Sequence, residues 1–134
     1  MIANAALVDS SVLISLLRRG LDPAKELMTR ARRMDLATCG MVRLEVLRGV
    51  VQPATRRAVA GFLDVMCNIP SDNRLWEEAA QLAWELDRKG RTLPAQDILI
   101  AACARRIGAV VLSHDAHFSE IPDLTVLTSI DDLN

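Results

Sequence analysis

The stretch "LPAQDILIAACARRIGAVVLS", residues 93–113, predicts a helix that leads directly into a strand. Pro94 and Gly108 mark the start and the end of the helix, and the residues between them are mostly apolar. The run that follows, residues 109–113, is short and rich in valine, as expected of a buried strand. One carboxylate, that of Asp97, lies in the first turn of this apolar helix. The stretch therefore indicates a buried helix–strand unit, and it raises the question of what an acid does there.

The same alternation of helical segments and short apolar runs continues through the rest of the chain. Strands that are connected by helices predict a parallel sheet that is covered on both faces. We therefore predict an α/β fold, an α/β/α sandwich with a central parallel sheet of four to five strands, in a single domain over residues 1–134. The other predicted strands are residues 5–8, 35–39, 68–70 and 124–128, and the other predicted helices are residues 10–20, 22–33, 41–49, 53–66 and 71–90.

Length and composition exclude several classes of protein. The 134 residues suffice for one domain with a core, and the 51% hydrophobic content excludes a disordered chain. The formal net charge of −1 supplies no overall positive field for nucleic acid. No segment is long enough to span a membrane, and the first residues, MIANAALVDSS, lack the features of a signal peptide. We therefore expect a cytoplasmic protein without a membrane partner.

The chain has three cysteines, Cys39, Cys67 and Cys103. Their number is odd, and their spacing fits neither a zinc site nor a disulfide framework. We interpret them as buried thiols in a reducing cytosol.

Four carboxylates interrupt or directly follow the apolar segments. Asp9 follows the first predicted strand and Asp115 follows the strand at 109–113, so both belong to the same edge of a parallel sheet. Glu45 and Asp97 lie within apolar helical segments. In open α/β sheets, ligands bind beyond the carboxyl ends of the strands, near the point where the strand order reverses. The four acids are therefore candidate site residues.

Each acid also has a purely structural interpretation. Asp9 could cap the following helix, Asp115 could belong to a turn, and Glu45 could pair with an arginine of its own helix. The helix dipole favours Asp97 in a first turn by about 0.3–1 kcal/mol. If the four converge, however, neighbouring charges repel by about 4 kcal/mol per pair at about 4 Å and an effective dielectric constant of about 20. Such a cluster must take up protons or bind a cation.

The ligand atoms of these acids are all oxygens, and such a set selects a hard divalent cation, Mg²⁺ or Mn²⁺. An ion held by carboxylates with open positions suits phosphodiester hydrolysis, because it can bind a phosphate oxygen and activate water. His114 and His117 flank Asp115, but without a nearby cysteine or third histidine they do not predict a zinc site. We interpret the two histidines as part of a polar loop.

Four segments, in this order along the chain, resemble the signature segments of PIN-domain ribonucleases: LVDSSVLISLL, MVRLEVLRG, PAQDILIAACA and VVLSHDAHF. Within that family, the chain resembles most the VapC-type toxin of bacterial toxin–antitoxin pairs. The resemblance spans residues 6–118, which is nearly the whole chain, and implies a single PIN-like domain.

The resemblance also implies roles for the four acids. The family's first and second acids correspond to Asp9 and Glu45, and its third and fourth correspond to Asp97 and Asp115. By resemblance, these four residues hold Mg²⁺ or Mn²⁺ and catalyse the reaction.

Two serines match positions that often carry a hydroxyl near the metal in this family. Ser11 lies in the short polar segment after the first acid, and Ser113 lies two residues before the fourth. The chain departs from the family before Glu45, where it has Cys39 and Val42 instead of the usual serine or threonine. This departure concerns a hydrogen bond that supports the site and leaves the metal ligands in place.

The activity that the resemblance implies is a Mg²⁺- or Mn²⁺-dependent endoribonuclease. Such a toxin cleaves structured RNA, often tRNA or rRNA, and thereby inhibits translation and growth. The resemblance also implies a homodimer and a small antitoxin whose C-terminal segment blocks the site. The alternative is a catalytically silent PIN-fold module that binds RNA or a protein partner without cleavage, and the presence of all four acids argues against it.

Few residues of the sequence point to contacts with RNA or with a protein partner. Arg43 and Arg48 are candidates for phosphate contacts, although surface ion pairs are the commoner use of arginine. Trp76 and Trp84 lie eight residues apart, on nearly one face of the predicted helix at 71–90. Core packing is the default interpretation of this pair, and a dimer or antitoxin interface is the alternative.

Overall fold

The structure, a computed structural model, describes residues 4–133. Residues 1–3 and 134 lie outside the described part, and the prediction that the chain does not begin with a signal peptide falls partly on them. The strands are β1 (Ala5–Val8), β2 (Asp35–Cys39), β3 (Cys67–Ile69), β4 (Val110–Leu112) and β5 (Val126–Leu127). The α-helices are α1 (Ser10–Arg18), α2 (Pro23–Arg30), α3 (Gly40–Arg48), α4 (Pro53–Val65), α5 (Asn73–Arg88) and α6 (Ala95–Ile107), and the short 3-10 helices are η1 (Ala116–Glu120) and η2 (Ile130–Leu133).

The five strands form one parallel sheet in the order β3-β2-β1-β4-β5, and helices flank the sheet. The predicted α/β/α sandwich with a parallel sheet of four to five strands is confirmed. The assignment of the whole range 1–134 to one domain stays a prediction. Within residues 4–133, no helix combines the length and the apolar character that a membrane crossing requires.

Strand β1 lies at the centre of the sheet. Leu7 pairs with Ala37 of β2, and Val8 pairs with Leu112 of β4. Strands β2 and β3 lie on one side of β1, and the later strands β4 and β5 lie on its other side. The strand order therefore reverses between β1 and β4. All four residues of β1 are buried, which explains why the strand has a continuous apolar run instead of an alternating pattern. The carboxyl ends of β1 and β4 therefore form the switch point at which α/β folds bind ligands.

Helix α6 is the buried helix that the stretch at 93–113 predicts. Eight consecutive residues, from Asp97 to Ala104, are buried. The helix packs against α3, α5 and the strands β1 and β4. Gly108 ends it with a φ of +70°, a left-handed conformation that glycine adopts without steric strain. Because the helix is packed on several sides, the core fixes the position of Asp97 in its first turn.

Several predicted boundaries move by one to a few residues. The helix predicted over 71–90 begins after Asp72, because the Asp72 carboxylate caps it by accepting a hydrogen bond from the Leu75 N–H at 2.9 Å. The strand predicted at 68–70 shifts by one residue to become β3. The strand predicted at 124–128 shortens to the two residues of β5 at one edge of the sheet.

The two tryptophans of α5 are exposed, by 53% for Trp76 and 55% for Trp84. Core packing is therefore the wrong interpretation for this pair. The leucines of the same helix, Leu75, Leu82 and Leu86, take the buried face. Each tryptophan follows a buried position by one or two residues, which turns its side chain away from the core.

The three cysteines are free thiols. Cys39 and Cys103 are buried, which confirms the prediction for these two, whereas Cys67 is half-buried. Cys67 belongs to β3, an edge strand of the sheet, and an edge strand is covered less completely than a central one.

Candidate active site

The four acids come from four different elements around the carboxyl ends of β1 and β4. Asp9 directly follows β1 and is 4% exposed, and Asp97, in the first turn of α6, is 9% exposed. Glu45 of α3 and Asp115, which directly precedes η1, are half-buried. The charges of Asp9 and Asp97 act on Glu45, and those of Asp9 and Asp115 act on Asp97. The fold therefore brings all four together, while their roles as catalytic residues and metal ligands stay a prediction.

The Asp9 side chain is held by the two serines. Its Oδ2 accepts hydrogen bonds from Ser11 Oγ at 2.7 Å and from Ser113 Oγ at 2.7 Å. Its side chain makes no capping hydrogen bond to α1, so the interpretation of Asp9 as a helix cap is wrong. The carboxylate is bonded instead to the residue that follows β4.

The same two serines connect Asp9 to the loop that carries Asp115. The Asp115 N–H donates to Ser113 Oγ at 2.9 Å, and the His114 N–H donates to Ser11 Oγ at 3.1 Å. Ser113 is fully buried, so its hydroxyl cannot replace these partners by water. The serines therefore tie the end of β1 to the end of β4 and orient Asp9.

The Glu45 carboxylate faces the acidic cluster, and no residue from 4 to 133 forms an ion pair with it. Ser10 Oγ donates a hydrogen bond to its Oε1 at 3.2 Å. Burial raises the pKa of Glu45, and the negative charges of Asp9 and Asp97 raise it further. Glu45 therefore keeps its proton to a higher pH than an exposed glutamate does.

The two arginines of α3 serve other purposes. Arg43 forms an ion pair with Asp64, with 2.9 Å between Nη2 and Oδ1, so the interpretation that Glu45 pairs with Arg43 is wrong. Arg48 is exposed, and its positive charge lowers the pKa of Glu45 without an ion pair between the two side chains. The Glu45 carboxylate therefore remains available to a substrate or an ion.

Asp97 and Asp115 meet at the imidazole of His117. The Nδ1 of His117 lies 2.8 Å from Oδ2 of Asp97 and 3.1 Å from Oδ1 of Asp115. The His117 backbone N–H also donates to Oδ1 of Asp115 at 2.9 Å, so Asp115 does form the predicted turn. One ligand atom from each of these three residues lies within 4.8 Å of the other two. The prediction that His117 is only part of a polar loop is therefore wrong, because its side chain belongs to the site.

Asp97 and His117 change each other's pKa in opposite directions. Burial raises the pKa of the Asp97 carboxyl, and the charges of Asp115 and Asp9 raise it further, whereas the hydrogen bond with His117 lowers it. In return, the hydrogen bond from the Asp97 carboxylate raises the pKa of the His117 imidazole, and the charge of Asp115 adds to this. One imidazole supplies at most one positive charge to a cluster of four carboxyl groups, so the cluster has more acidic groups than positive charges.

The donor set fits a divalent cation. Carboxylate oxygens that converge at one place repel one another unless a positive charge lies between them. Oxygen ligands of this kind suit Mg²⁺ and Mn²⁺. Asp97, Asp115 and His117 could hold such an ion, with Asp9 and Glu45 beside them.

Sequence reasoning missed His117 because its ring has no defined position until the conformation after Asp115 is known. The available signal was the spacing of two residues between the acid and the histidine. In the 3-10 turn of η1, that spacing brings the backbone and the ring of His117 onto the Asp115 carboxylate.

Cys39 takes the position where the family resemblance leads us to expect a hydroxyl. It is the N-cap residue of α3, and its side chain makes no capping hydrogen bond. Its thiol is buried, and the neighbouring thiol of Cys103 in α6 lowers its pKa. At this position the chain therefore has a buried thiol at the end of β2, next to α6, instead of a hydroxyl.

Comparison with known protein families identifies the fold. The family model described as the PIN domain matches residues 6–124. The chain belongs to the PIN domain family. The matched range contains the four acids, both serines and the histidine of the cluster. The resemblance inferred from the four segments is thereby confirmed at the level of the family.

Solved structures of toxin–antitoxin complexes share this PIN fold. A chain of VapBC2 from Rickettsia felis, crystallised with a promoter DNA fragment, is 20% identical with a TM-score of 0.76, and the match covers 91% of this chain and 96% of that one. A chain of VapBC-1 from nontypeable Haemophilus influenzae is 19% identical with a TM-score of 0.73, and the match covers 91% of this chain and 96% of that one. A chain of a toxin–antitoxin complex from Klebsiella pneumoniae is 21% identical with a TM-score of 0.72, and the match covers 92% of this chain and 97% of that one. At these identities the similarity establishes the fold, and no functionally curated protein matches the chain in sequence.

Proposed function

We propose that this PIN-domain protein is a Mg²⁺- or Mn²⁺-dependent endoribonuclease of the VapC type, the toxin of a toxin–antitoxin pair. The observation that carries the proposal is the convergence of Asp9, Glu45, Asp97 and Asp115 at the switch point of the sheet. The proposed substrate is structured cellular RNA, tRNA or rRNA, whose cleavage inhibits translation and growth. That several solved structures with this fold are VapBC complexes supports the assignment as a toxin.

In the proposed mechanism, Asp9, Asp97 and Asp115 hold the ion and Glu45 completes the site. The ion, when bound, supplies positive charge beside the scissile phosphate and lowers the pKa of a nearby water molecule. The hydroxyls of Ser11 and Ser113 keep the Asp9 carboxylate oriented, because both donate to the same oxygen. Preorganised ligands of this kind need little rearrangement when the substrate binds.

Glu45 is the residue that we propose as the proton acceptor. Its carboxylate is half-buried beside the other acids and has no ion-pair partner among the described residues, so it can accept a proton from a water molecule in the site. Glu45 takes one proton from the attacking water while the water oxygen bonds to phosphorus. The bond between phosphorus and the 3′ oxygen breaks, and the 3′ oxygen takes a proton from solvent. The products therefore carry a 5′-phosphate and a 3′-hydroxyl.

Cleavage of total RNA by the purified, antitoxin-free protein tests this proposal. We expect cleavage with Mg²⁺ or Mn²⁺, none with a chelator, and none for Asp9→Ala with either ion. Asp87→Ala, which removes an exposed aspartate of α5, serves as the matched control and should cleave normally. RNA binding without cleavage would instead identify the catalytically silent module, and 2′,3′-cyclic phosphate ends formed without added metal would contradict the mechanism.

We further propose that the protein forms a homodimer and binds a small antitoxin whose C-terminal segment covers the acidic cluster. Trp76 and Trp84 of α5 supply exposed aromatic surface of the kind that is enriched at interfaces. The Arg88 guanidinium lies 5.0 Å from the ring centroid of Trp84, so this face of α5 combines aromatic and cationic character. Light scattering on the antitoxin-free protein should give the mass of a dimer, and a monomer at every concentration would contradict that part of the proposal.

A further inference from the structure

The Nδ1 atom of His117 lies next to the carboxylates of Asp97 and Asp115. It lies 2.8 Å from one carboxylate oxygen of Asp97 and 3.1 Å from one of Asp115. In an octahedral ion site with ligand bonds of about 2.1 Å, adjacent ligand atoms lie about 3.0 Å apart. Both contacts have the length of a hydrogen bond, and this is also the length of an edge of such a coordination sphere.

The turn that carries His117 is anchored from both sides. Its backbone N–H is bonded to the Asp115 carboxylate at 2.9 Å, and the next residue, Phe118, is fully buried. The His117 side chain is 46% exposed, so an ion and a phosphate can approach it from solvent. A ligand position that is held by the backbone and remains accessible is what an ion site requires.

The chemistry of the ring fits the same role. An imidazole nitrogen that carries no proton has a lone pair for an ion, and histidine is a common metal ligand in proteins.

We propose that His117 binds the divalent ion through Nδ1 together with Asp97 and Asp115, and that this nitrogen ligand makes the site prefer Mn²⁺ to Mg²⁺. The inference rests on the proposed function, since it names a further ligand and the ion preference of the same site. Imidazole nitrogen is a ligand of transition-metal ions, whereas Mg²⁺ takes oxygen ligands and dehydrates reluctantly.

Electron paramagnetic resonance of the Mn²⁺-loaded, antitoxin-free protein tests the ligand directly. A nitrogen bound to Mn²⁺ gives a hyperfine coupling that electron spin-echo modulation detects without any substrate. We expect this coupling in the wild type and in His114→Gln, and its loss in His117→Gln. His114 is the matched control, because it is an exposed histidine on the other side of Asp115.

Calorimetric titration of the chelator-treated protein tests the preference between the two ions. His117→Gln should weaken Mn²⁺ binding by about tenfold or more and Mg²⁺ binding by less than about threefold. His114→Gln should leave both affinities unchanged. Equal losses for the two ions in His117→Gln would overturn the proposed preference.

The remaining outcomes separate this inference from the proposed function. Mn²⁺ bound to the wild type without nitrogen coupling, or with a coupling that persists in His117→Gln, would overturn His117 as a ligand and leave the acidic site intact. Equal binding of Mn²⁺ by the wild type and by Asp97→Asn would overturn the metal site itself, and the proposed function with it.

Discussion

Two aspartates at helix starts, Asp72 and Asp97, are in opposite electrostatic situations. Asp72 caps α5 and forms two hydrogen bonds with the Arg106 guanidinium, at 2.8 and 3.0 Å. These bonds hold the pKa of Asp72 below its usual value. Asp97 lies in the first turn of α6, where burial and neighbouring acids raise its pKa. The fold therefore favours the charged form of Asp72 and disfavours that of Asp97.

The comparison indicates that Asp72 stabilises the fold, whereas the fold holds Asp97 in place at the candidate active site. Helix dipoles favour both residues by only about 0.3–1 kcal/mol, which is too little to offset a repulsion of about 4 kcal/mol per close pair of acids. Asp72 has an arginine as its counter-charge, whereas Asp97 shares a single imidazole with Asp115. We infer that a divalent cation supplies the missing positive charge at Asp97.

Replacing the carboxylate of each aspartate by an amide should have the largest and most unequal effect on RNA cleavage. Asp97→Asn should lower the cleavage rate by about 10²- to 10³-fold, because it removes a charged ligand from the reacting centre. Asp72→Asn should cleave at the wild-type rate. Initial rates on total RNA with Mn²⁺ measure both, and an Asp97→Asn protein with full activity would remove Asp97 from the site.

Ser113→Ala should have the next largest effect on the rate. The substitution removes a hydrogen bond donor to Asp9 and leaves the Asp115 N–H without its acceptor. Loss of a residue that orients a metal ligand typically lowers activity or metal affinity by about 10- to 100-fold. Ser119→Ala is the control, because its hydroxyl bonds only the backbone of its own turn. If Ser113→Ala and Ser119→Ala cleave equally well, Ser113 does not support the site.

Asp72→Ala should affect stability and leave cleavage unchanged. It removes the cap of α5 and the partner of Arg106, and we expect Tm to fall by about 3 °C. Asp72→Asn keeps the capping oxygen and loses the charge, so its Tm should lie between those of Asp72→Ala and the wild type. Thermal melts followed by circular dichroism provide the measurement, and an unchanged Tm for Asp72→Ala would show that the cap contributes nothing.

The smallest predicted effect is the pH dependence of the metal-free protein. Because the pKa of Asp72 is lowered on folding, its stabilisation is present above the unfolded value of about 3.9 and is lost as the pH falls through the folded value. Because the pKa of Asp97 is raised, its contribution is present at low pH and is lost as the pH rises through the folded value. In chelator, Asp97→Asn should therefore gain Tm relative to the wild type as the pH rises from about 4 to neutrality. If the difference in Tm between Asp97→Asn and the wild type is constant from about pH 4 to neutrality, the pKa of Asp97 is not raised.

The sheet and the four acids could be predicted because both depend on local patterns. A parallel strand that is buried on both faces, such as β1, has a continuous apolar run, and an acid next to such a run is conspicuous because burial of its charge is unfavourable. The partners of those acids depend on tertiary structure. Ser113 reaches Asp9 across 104 positions of the chain, and the ring of His117 meets Asp97 only after η1 has formed.

The exposure of Trp76 and Trp84 could not be predicted for a related reason. Their spacing places both on nearly one face of α5, but it does not say which face of the helix packs against the rest of the protein. The buried leucines of α5 decide that orientation, and they leave the tryptophans outside.

The stability of the wild type and of Asp97→Asn, each measured in chelator and in saturating Mn²⁺, tests the central claim most directly. In chelator the variant should have the higher Tm, because it removes a buried charge that lies among other acids. In Mn²⁺ the order should reverse, because an ion that binds the folded wild type stabilises it by mass action while the variant has lost a ligand. A variant that is less stable than the wild type in chelator, or an order that Mn²⁺ leaves unchanged, would contradict the account that this cluster is built to hold a cation.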